Sequence, residues 1–491
     1  RQAYIRSRFT PDTTPGPGED GEIVTVAEGQ LQGTINDGIY RYLGVPYAEA
    51  AERFVTAGPV TPWEGVLKAD SYGPMSPQGS MLGFGAGNQD GTDNNCQNLN
   101  IWTPGLNDGG LRPVLVWLHG GGFSTGTAND SSYDGEALAK NGDVVVVSVN
   151  HRLNVFGYLD LSAYDEKYKD SANVGMWDII AALEWIQQNI EVFGGDPDNV
   201  TVFGQSGGGA KVLGLMSTPY AVGLFHKGIV ESGVTETVGV NFTSQEASTR
   251  LAENLLAELN IAPENIEQLQ IVAVDKLQSA ATKALDATAQ EFQIPAPLTD
   301  GYQMEWEPVV DGDFLPTSPV TETNFADAGQ DIPLLIGSNL NEWTGFYRTS
   351  TDGVDTDALS AALKTAYPDK TDLTADHVDT LIRLPILKTM SHKADQNGAP
   401  VYAYLLTYGS SNHGAEIPYI FRHSDVSAMN DLFSSIWVNF ARSGVPSADS
   451  LPTWEPYTRE GGATMLLDTT SQLVYHHDAA LLKLLAPDYE Y

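Results

Sequence analysis

Apolar positions follow two rhythms along this chain. From about residue 110 onward, short unbroken apolar runs recur at Val114–Leu118, Val144–Ser148, Val200–Phe203, Gly228–Val230, Ile332–Ile336 and Val401–Leu406. Runs of this length, rich in β-branched residues and without alternation, read as strands buried on both faces. Between them, Met176 to Phe193 sets Ile179, Ile180, Leu183, Ile186 and Ile190 on one face at helical spacing. Buried strands separated by helices predict an α/β fold with a central, mostly parallel sheet covered by helices on both faces. Residues 243–370 have a different texture. Thr243-x-x-Glu246 reads as a capping box, with Leu251, Leu255, Leu256 and Leu259 following at helical spacing. Asp355–Ala366 and Thr374–Leu384 also read as helical. These segments are expected as helical insertions over the sheet, at about 243–330 and 350–395, within one domain spanning 22–491. Residues 9–22, rich in Pro, Gly and acidic side chains, read as linker, so 1–21 is expected to be a flexible N-terminal segment.

Charge narrows the partners. The 491 residues include 63 acidic and 26 basic side chains, a net charge of −37. Such a surface repels phosphate backbones, which argues against nucleic acid and against anionic membranes. No apolar run approaches the ~18 residues that a membrane span needs. A solvated, solubilising surface explains the charge, and adaptation to salt or to an extracellular habitat is the sharper reading. The lone cysteine, Cys96, excludes an intramolecular disulfide. With no HExxH pattern and a single thiol, no metal or organic cofactor is expected. The start at Arg1 followed by a linker fits a mature exported protein, so an extracellular or cell-envelope location is expected, with the cytoplasm as the alternative. Composition leaves monomer and homo-oligomer open.

One segment carries chemistry. The apolar run ending at Phe203 leads into Gly204-Gln-Ser206-Gly-Gly208, and an apolar helical pattern at Val212, Leu213 and Leu215 follows. G-x-S-x-G between a strand and a helix is the turn that pushes a serine hydroxyl out of a sheet, with helix N-terminal amides pointing at it. In a chain with 49 glycines the pattern alone arises by chance; the strand–turn–helix setting favours a nucleophilic Ser206 over a plain glycine turn. A second element agrees. Val114–Leu118 ends in His119-Gly-Gly-Gly122-Phe123, where bare amides suit an oxyanion hole. Gly121, Gly122 and Gly207 are the candidate donors.

Further motifs identify a family. Tyr42–Ala48 (YLGVPYA), Asn98–Pro104 (NLNIWTP), His119–Phe123, Val149–Tyr158 (VNHRLNVFGY), Asn173–Gly175, Phe193–Pro197 (FGGDP), Gly204–Gly208 and Trp437–Gly444 occur in one order. Together they resemble the type-B carboxylesterases, the cholinesterase-like branch of the α/β-hydrolases, with the character of a bacterial carboxylesterase, over roughly residues 22 to 460. The resemblance implies the α/β-hydrolase fold and a serine esterase acting on a small-molecule ester. It places an acid at Glu342, in Gly337-Ser-Asn-Leu-Asn-Glu342, and a base at His413, in the His413-Gly-Ala-Glu416 segment. Without that context Glu342 would read as a loop carboxylate. The order Ser206, Glu342, His413 is the α/β-hydrolase order. Ser232 matches a position that supports the acid, and His119 and His151 match structural positions.

The chain departs from the family in three places. Ser76 stands where the partner of Cys96 is usual, leaving the 72–96 loop unstapled and free to move over an active-site gorge. Asn94 replaces an acid usually paired with the Arg53 region. Gln205 replaces a Glu that serves cationic substrates, which argues against choline esters. Phe123, Met176, Trp343, Phe346 and Met81–Phe84 are candidates for gorge walls, suggesting short-chain or aromatic acyl esters. The alternatives are a catalytically silent adhesion-type protein, or an amidase, lactonase or lipase on the same site.

Overall fold

In the computed structural model, which describes residues 18–79, 89, 91–236, 242–343 and 345–491, the apolar runs form the middle of one sheet. That sheet has 13 strands. Seven lie side by side and parallel, in the spatial order Val145–Val149, Arg112–Leu118, Gly195–Gln205, Lys227–Glu231, Leu334–Asn339, Val401–Leu406 and Ala463–Leu467. Along Arg112–Leu118, Val114, Val116 and Leu118 pack into the core on one face while Leu115 and Trp117 pack into the core on the other. Both pleats are therefore dry, which is why the sequence shows unbroken apolar runs. Antiparallel strands extend the sheet at its edges: Asn98–Thr103, Ile39–Pro46, Gly29–Asn36 and Glu19–Val26 at one end, Gln472–Tyr475 at the other.

Helices cover both faces. Val174–Asn189 buries Ile179, Ile180, Leu183 and Ile186, and a short 3₁₀ turn, Ile190–Phe193, finishes the predicted segment. Ser427–Ser443 covers the opposite face with Phe433, Ile436, Trp437 and Phe440. The helix expected after residue 243 starts one residue later than the capping-box reading. Ser244 is the cap, accepting from the Ala247 amide at 3.2 Å, because Thr243 is drawn into a short parallel pairing with Val309. Asp355 caps Thr356–Ala366 as its position suggests, accepting from the Ala358 amide. The expected helix at Thr374–Leu384 is corrected: only the 3₁₀ turn Ala375–His377 forms there, and the helix runs Arg383–Asp395. The cause is Asp379, whose carboxylate accepts from the Ile382 and Arg383 amides, each at 3.0 Å, and so sets the helix start beyond the apolar pattern. Among the described residues no helix is long and apolar enough to cross a membrane.

Parallel strands end together. Leu118 pairs with Gly204, Gln205 with Glu231, Glu231 with Gly337, and Gly337 with Tyr404. The loops after these strands therefore emerge at one edge of the sheet, where ligands of open α/β folds bind. Below that edge, Cys96 is buried with a free thiol, and Ser76 Oγ accepts from the Leu153 amide at 3.0 Å. Within the 72–96 loop expected to be unstapled, residues 80–88, including Met81–Phe84, and residue 90 lie outside the described residues. In place of the family's ion pair, Asn94 donates to the Glu52 carbonyl, and the Arg53 guanidinium donates to the carbonyls of Leu269 and Val272.

A buried ion pair ties the helix Val174–Asn189 to the segment that follows the strand Val145–Val149. Arg152 and Asp178 are both 0% exposed and meet at 2.8 Å, and Asp178 also accepts from the Arg152 amide and from Gln97. Removing one partner of a buried pair strands the other charge. Asp178→Ala should lower stability by about 3–5 kcal/mol, read as a shift of the urea midpoint by tryptophan fluorescence. The double change Arg152→Met with Asp178→Leu should recover most of that loss.

Candidate active site

The turn at Ser206 is built by close backbone approach. Ser206 sits at φ 57° and ψ −122°, a conformation a non-glycine residue holds at a cost of about 1–3 kcal/mol. Its amide donates to the Glu231 carbonyl at 2.8 Å, and its own carbonyl accepts from the Ala210 amide, starting the helix Gly207–Leu215. A Cβ on Gly208 would lie 2.0 Å from the Leu118 carbonyl oxygen, and one on Gly204 would lie 2.4 Å from the Gly208 backbone. The two outer glycines of G-x-S-x-G are thus required by the neighbouring strand end.

The same crowding brings the glycine loop in. A Cβ on Gly207 would meet Gly122 Cα at 2.4 Å, so the loop after Arg112–Leu118 lies on the start of the helix. Gly121 and Gly122 both have positive φ, 95° and 59°. The Gly121 carbonyl turns inward to accept from the Ser124 and Thr125 amides. Among the described residues nothing accepts from the amides of Gly121, Gly122 or Gly207, which leaves three unused donors beside Ser206.

His413 and Glu342 arrive on the loops after the next strands. His413 Nδ1 lies 2.5 Å from Glu342 Oε2, and the His413 amide donates to the Glu342 carbonyl at 2.8 Å. Glu342 is buried; its other carboxylate oxygen accepts from the Ser232 hydroxyl and from the Asn339 amide. Trp343 stacks on the imidazole, with ring centroids 4.1 Å apart. With Nδ1 donating to the acid, Nε2 is an acceptor, and in this structure the Gln205 side-chain amide donates to it at 3.2 Å. That amide is wedged against Gly120 and Gly414. Gln205 thus occupies the position on Nε2 that a serine hydroxyl would take.

Burial by itself would depress the imidazole, but the charge and hydrogen bond of Glu342, with Glu416 and Asp379 behind it, outweigh burial and hold His413 above its ordinary value. Glu416 and Asp379 are themselves pushed up to about 7, by burial first and then by Glu342. Asp379 escaped the sequence reading altogether, since nothing local marks one of 63 acids as buried beside a histidine. Asp311 and Asp313 serve other contacts: Asp311 accepts from Asn173, and Asp313 accepts from the Tyr220 hydroxyl. His119 and His151 stack on each other, fully buried, as structural residues.

Of the expected gorge residues, Phe123 and Met176 belong to the core, Trp343 covers His413, and Phe346 is 66% exposed beside Trp343. A cavity of about 310 Å³ opens next to the glycine loop, lined by Ser124, Asn154, Gln278, Gln303, Glu305 and Trp306.

Comparison with known proteins gives the family and the fold. The carboxylesterase family profile matches residues 20–375 and 358–481. The chain is 33% identical to the para-nitrobenzyl esterase of Bacillus subtilis (strain 168), covering 91% of this chain and 95% of the relative. It is 30% identical to the phenmedipham hydrolase of Pseudarthrobacter oxydans, over 91% and 94%. An esterase of anaerobic Clostridium hathewayi, described as hydrolysing aliphatic aromatic polyesters, superposes with a TM-score of 0.83 at 32% identity, over 95% of this chain and 98% of that one. A solved PNB esterase gives 0.76 at 31%, over 94% and 99%. Sequence motifs, sheet topology and these relatives converge: the chain belongs to the carboxylesterase family, has the α/β-hydrolase fold, and is a carboxylic-ester hydrolase.

Proposed function

We propose that Ser206, His413 and Glu342 form the catalytic triad, and that Gly121, Gly122 and Gly207 form the oxyanion hole, of a serine esterase for small neutral esters. The observation that carries this reading is the buried Glu342 carboxylate clamping His413 Nδ1 while Nε2 meets the side-chain amide of Gln205, the residue before the strained Ser206. The Gln205 amide first yields Nε2 to the Ser206 hydroxyl. Oγ then attacks the ester carbon as its proton passes to Nε2, and the carbonyl electron pair moves onto oxygen, facing the three glycine amides. Collapse breaks the bond to the alkoxy group, which leaves as alcohol with the proton from Nε2. Water, deprotonated by Nε2, attacks the acyl-enzyme, and Oγ departs with that proton as the carboxylic acid is released. Glu342 holds the tautomer throughout, and Ser232 holds Glu342.

Short-chain or aromatic acyl esters are the favoured substrates, since Trp343 offers an aromatic face over His413. The description of one solved relative, an esterase that can hydrolyse aliphatic aromatic polyesters, supports the aromatic preference.

Ser206→Ala should reduce turnover of a nitrophenyl ester about 10⁴-fold or more with an unchanged circular dichroism spectrum; near-full activity would sink the assignment. His413 must be neutral to act, and its pKa is raised, so kcat/KM should rise with pH through one transition lying above the ordinary imidazole value of ~6.5. Glu342→Gln removes the charge that raises it, so the transition should move to lower pH while the plateau falls, by less than in Ser206→Ala. With a net charge of −37, a neutral ester should be preferred to its carboxylate analogue. That gap should narrow toward about 0.15 M salt, where the screening length is ~8 Å.

A further inference from the structure

The helix that begins at Gly207 carries, one turn in, a lysine without a counter-ion. Lys211 is 0% exposed, and among the described residues no carboxylate pairs with it. Its Nζ donates to the His119 carbonyl at 2.8 Å and lies 5.5 Å from the centre of the Phe123 ring. Burial alone depresses this amine to about 7. An apolar side chain would fill the same space without an uncompensated amine, so packing does not account for it.

Its two contacts explain what it does. His119 and Phe123 are the residues on either side of Gly120, Gly121 and Gly122. Three consecutive glycines have the largest backbone freedom to lose, and the loop supplies little of its own restraint beyond the turn at Gly121 and the His119 ring bonding the Gly120 carbonyl. Lys211 grips the loop at both ends, and it does so from the helix whose first amide, Gly207, is the remaining donor. The loop and the helix start already touch, since a Gly207 Cβ would sit 2.4 Å from Gly122 Cα, so a small slip between them would misalign the donors. The titratable groups packed here are His119 and His151, both kept neutral by burial first and then by Lys211. A lysine donates an N–H to a carbonyl whether charged or neutral, so the hydrogen bond to the His119 carbonyl holds on both sides of its own titration.

We propose that Lys211 is a positioning residue that locks the Gly120–Gly122 loop onto the helix Gly207–Leu215, bringing the oxyanion donors into register. This rests on the oxyanion assignment above. The test is Lys211→Met, which keeps length and volume but removes the donor. The expected result is a fall in kcat of about ten- to a hundredfold with KM within about twofold. A matching loss of affinity is expected for a trifluoromethyl ketone, which forms a tetrahedral adduct bearing an oxyanion, with no fall in melting temperature. Unchanged kcat, or lost activity and melting temperature with ketone affinity intact, overturns the proposal. If Lys211→Met does not fold, Lys211→Gln is read instead: paired losses of kcat and ketone affinity at unchanged KM support the tie, and a loss of one without the other overturns it. The Ser206→Ala enzyme keeps the two readings apart. If it remains active, the oxyanion assignment falls; if it is dead while Lys211→Met is fully active, only the tie falls.

Discussion

The contact between the end of one strand and the start of the next helix governs this site. The Leu118 carbonyl, Gly204 and Gly208 are packed so tightly that a single added methyl would overlap backbone. With that contact, Ser206 holds a conformation an ordinary residue avoids, and the glycine loop lies on the first turn of the helix. Strain of about 1–3 kcal/mol at one residue is small against a core built of seven buried parallel strands, which hold it in place. The register of those strands then delivers the remaining parts: Glu231 receives the Ser206 amide, Gly337 receives the Ser232 amide, and the loops after the next two strands carry Glu342 and His413.

Electrostatics at the site are local, although the whole protein is strongly acidic. Glu342 is the carboxylate that touches His413. Glu416 and Asp379 stand behind it, and each is pushed up to about 7, by burial first and then by Glu342. Burial keeps water from screening these groups from one another. On the opposite side of the turn, Lys211 is a positive or neutral donor in the same dry interior. A carboxylate cluster thus surrounds His413, while an amine lies against the Gly120–Gly122 loop at the His119 carbonyl.

Gln205 adds a feature of this chain within the family pattern. Its amide holds His413 Nε2 while keeping contact with Gly120 and Gly414, so it links the histidine loop to the glycine loop through one neutral side chain. A carboxylate there would add a further negative charge beside the imidazole; an amide leaves Glu342 as the charge in contact with the ring and gives Nε2 a donor that a serine hydroxyl can replace.

Much was legible in the sequence because it was local. Unbroken apolar runs mark strands covered on both faces, since every side chain in them is dry. The two outer glycines of Gly204–Gly208 mark a turn no side chain fits, and the ordered motifs carry the family and, with it, Glu342 and His413. The helix starts at 244 and 383 were not legible, because Thr243 answers to Val309 and the apolar pattern at 374–384 answers to Asp379 rather than to its own spacing. Phe123 and Met176 look the same in sequence whether they wall a gorge or fill a core, and packing put them in the core. Nor does anything beside Lys211 or Asp379 in the chain announce that it is buried against the oxyanion loop or behind the histidine. What the sequence by itself determined is the buried strands of the sheet and the family, which depend on patterns among neighbours a few residues apart. Which charges lose water, and which partners they find across 92 residues, as Lys211 and His119 do, was decided only by the tertiary structure, because desolvation and long-range pairing exist only once the strands have stacked.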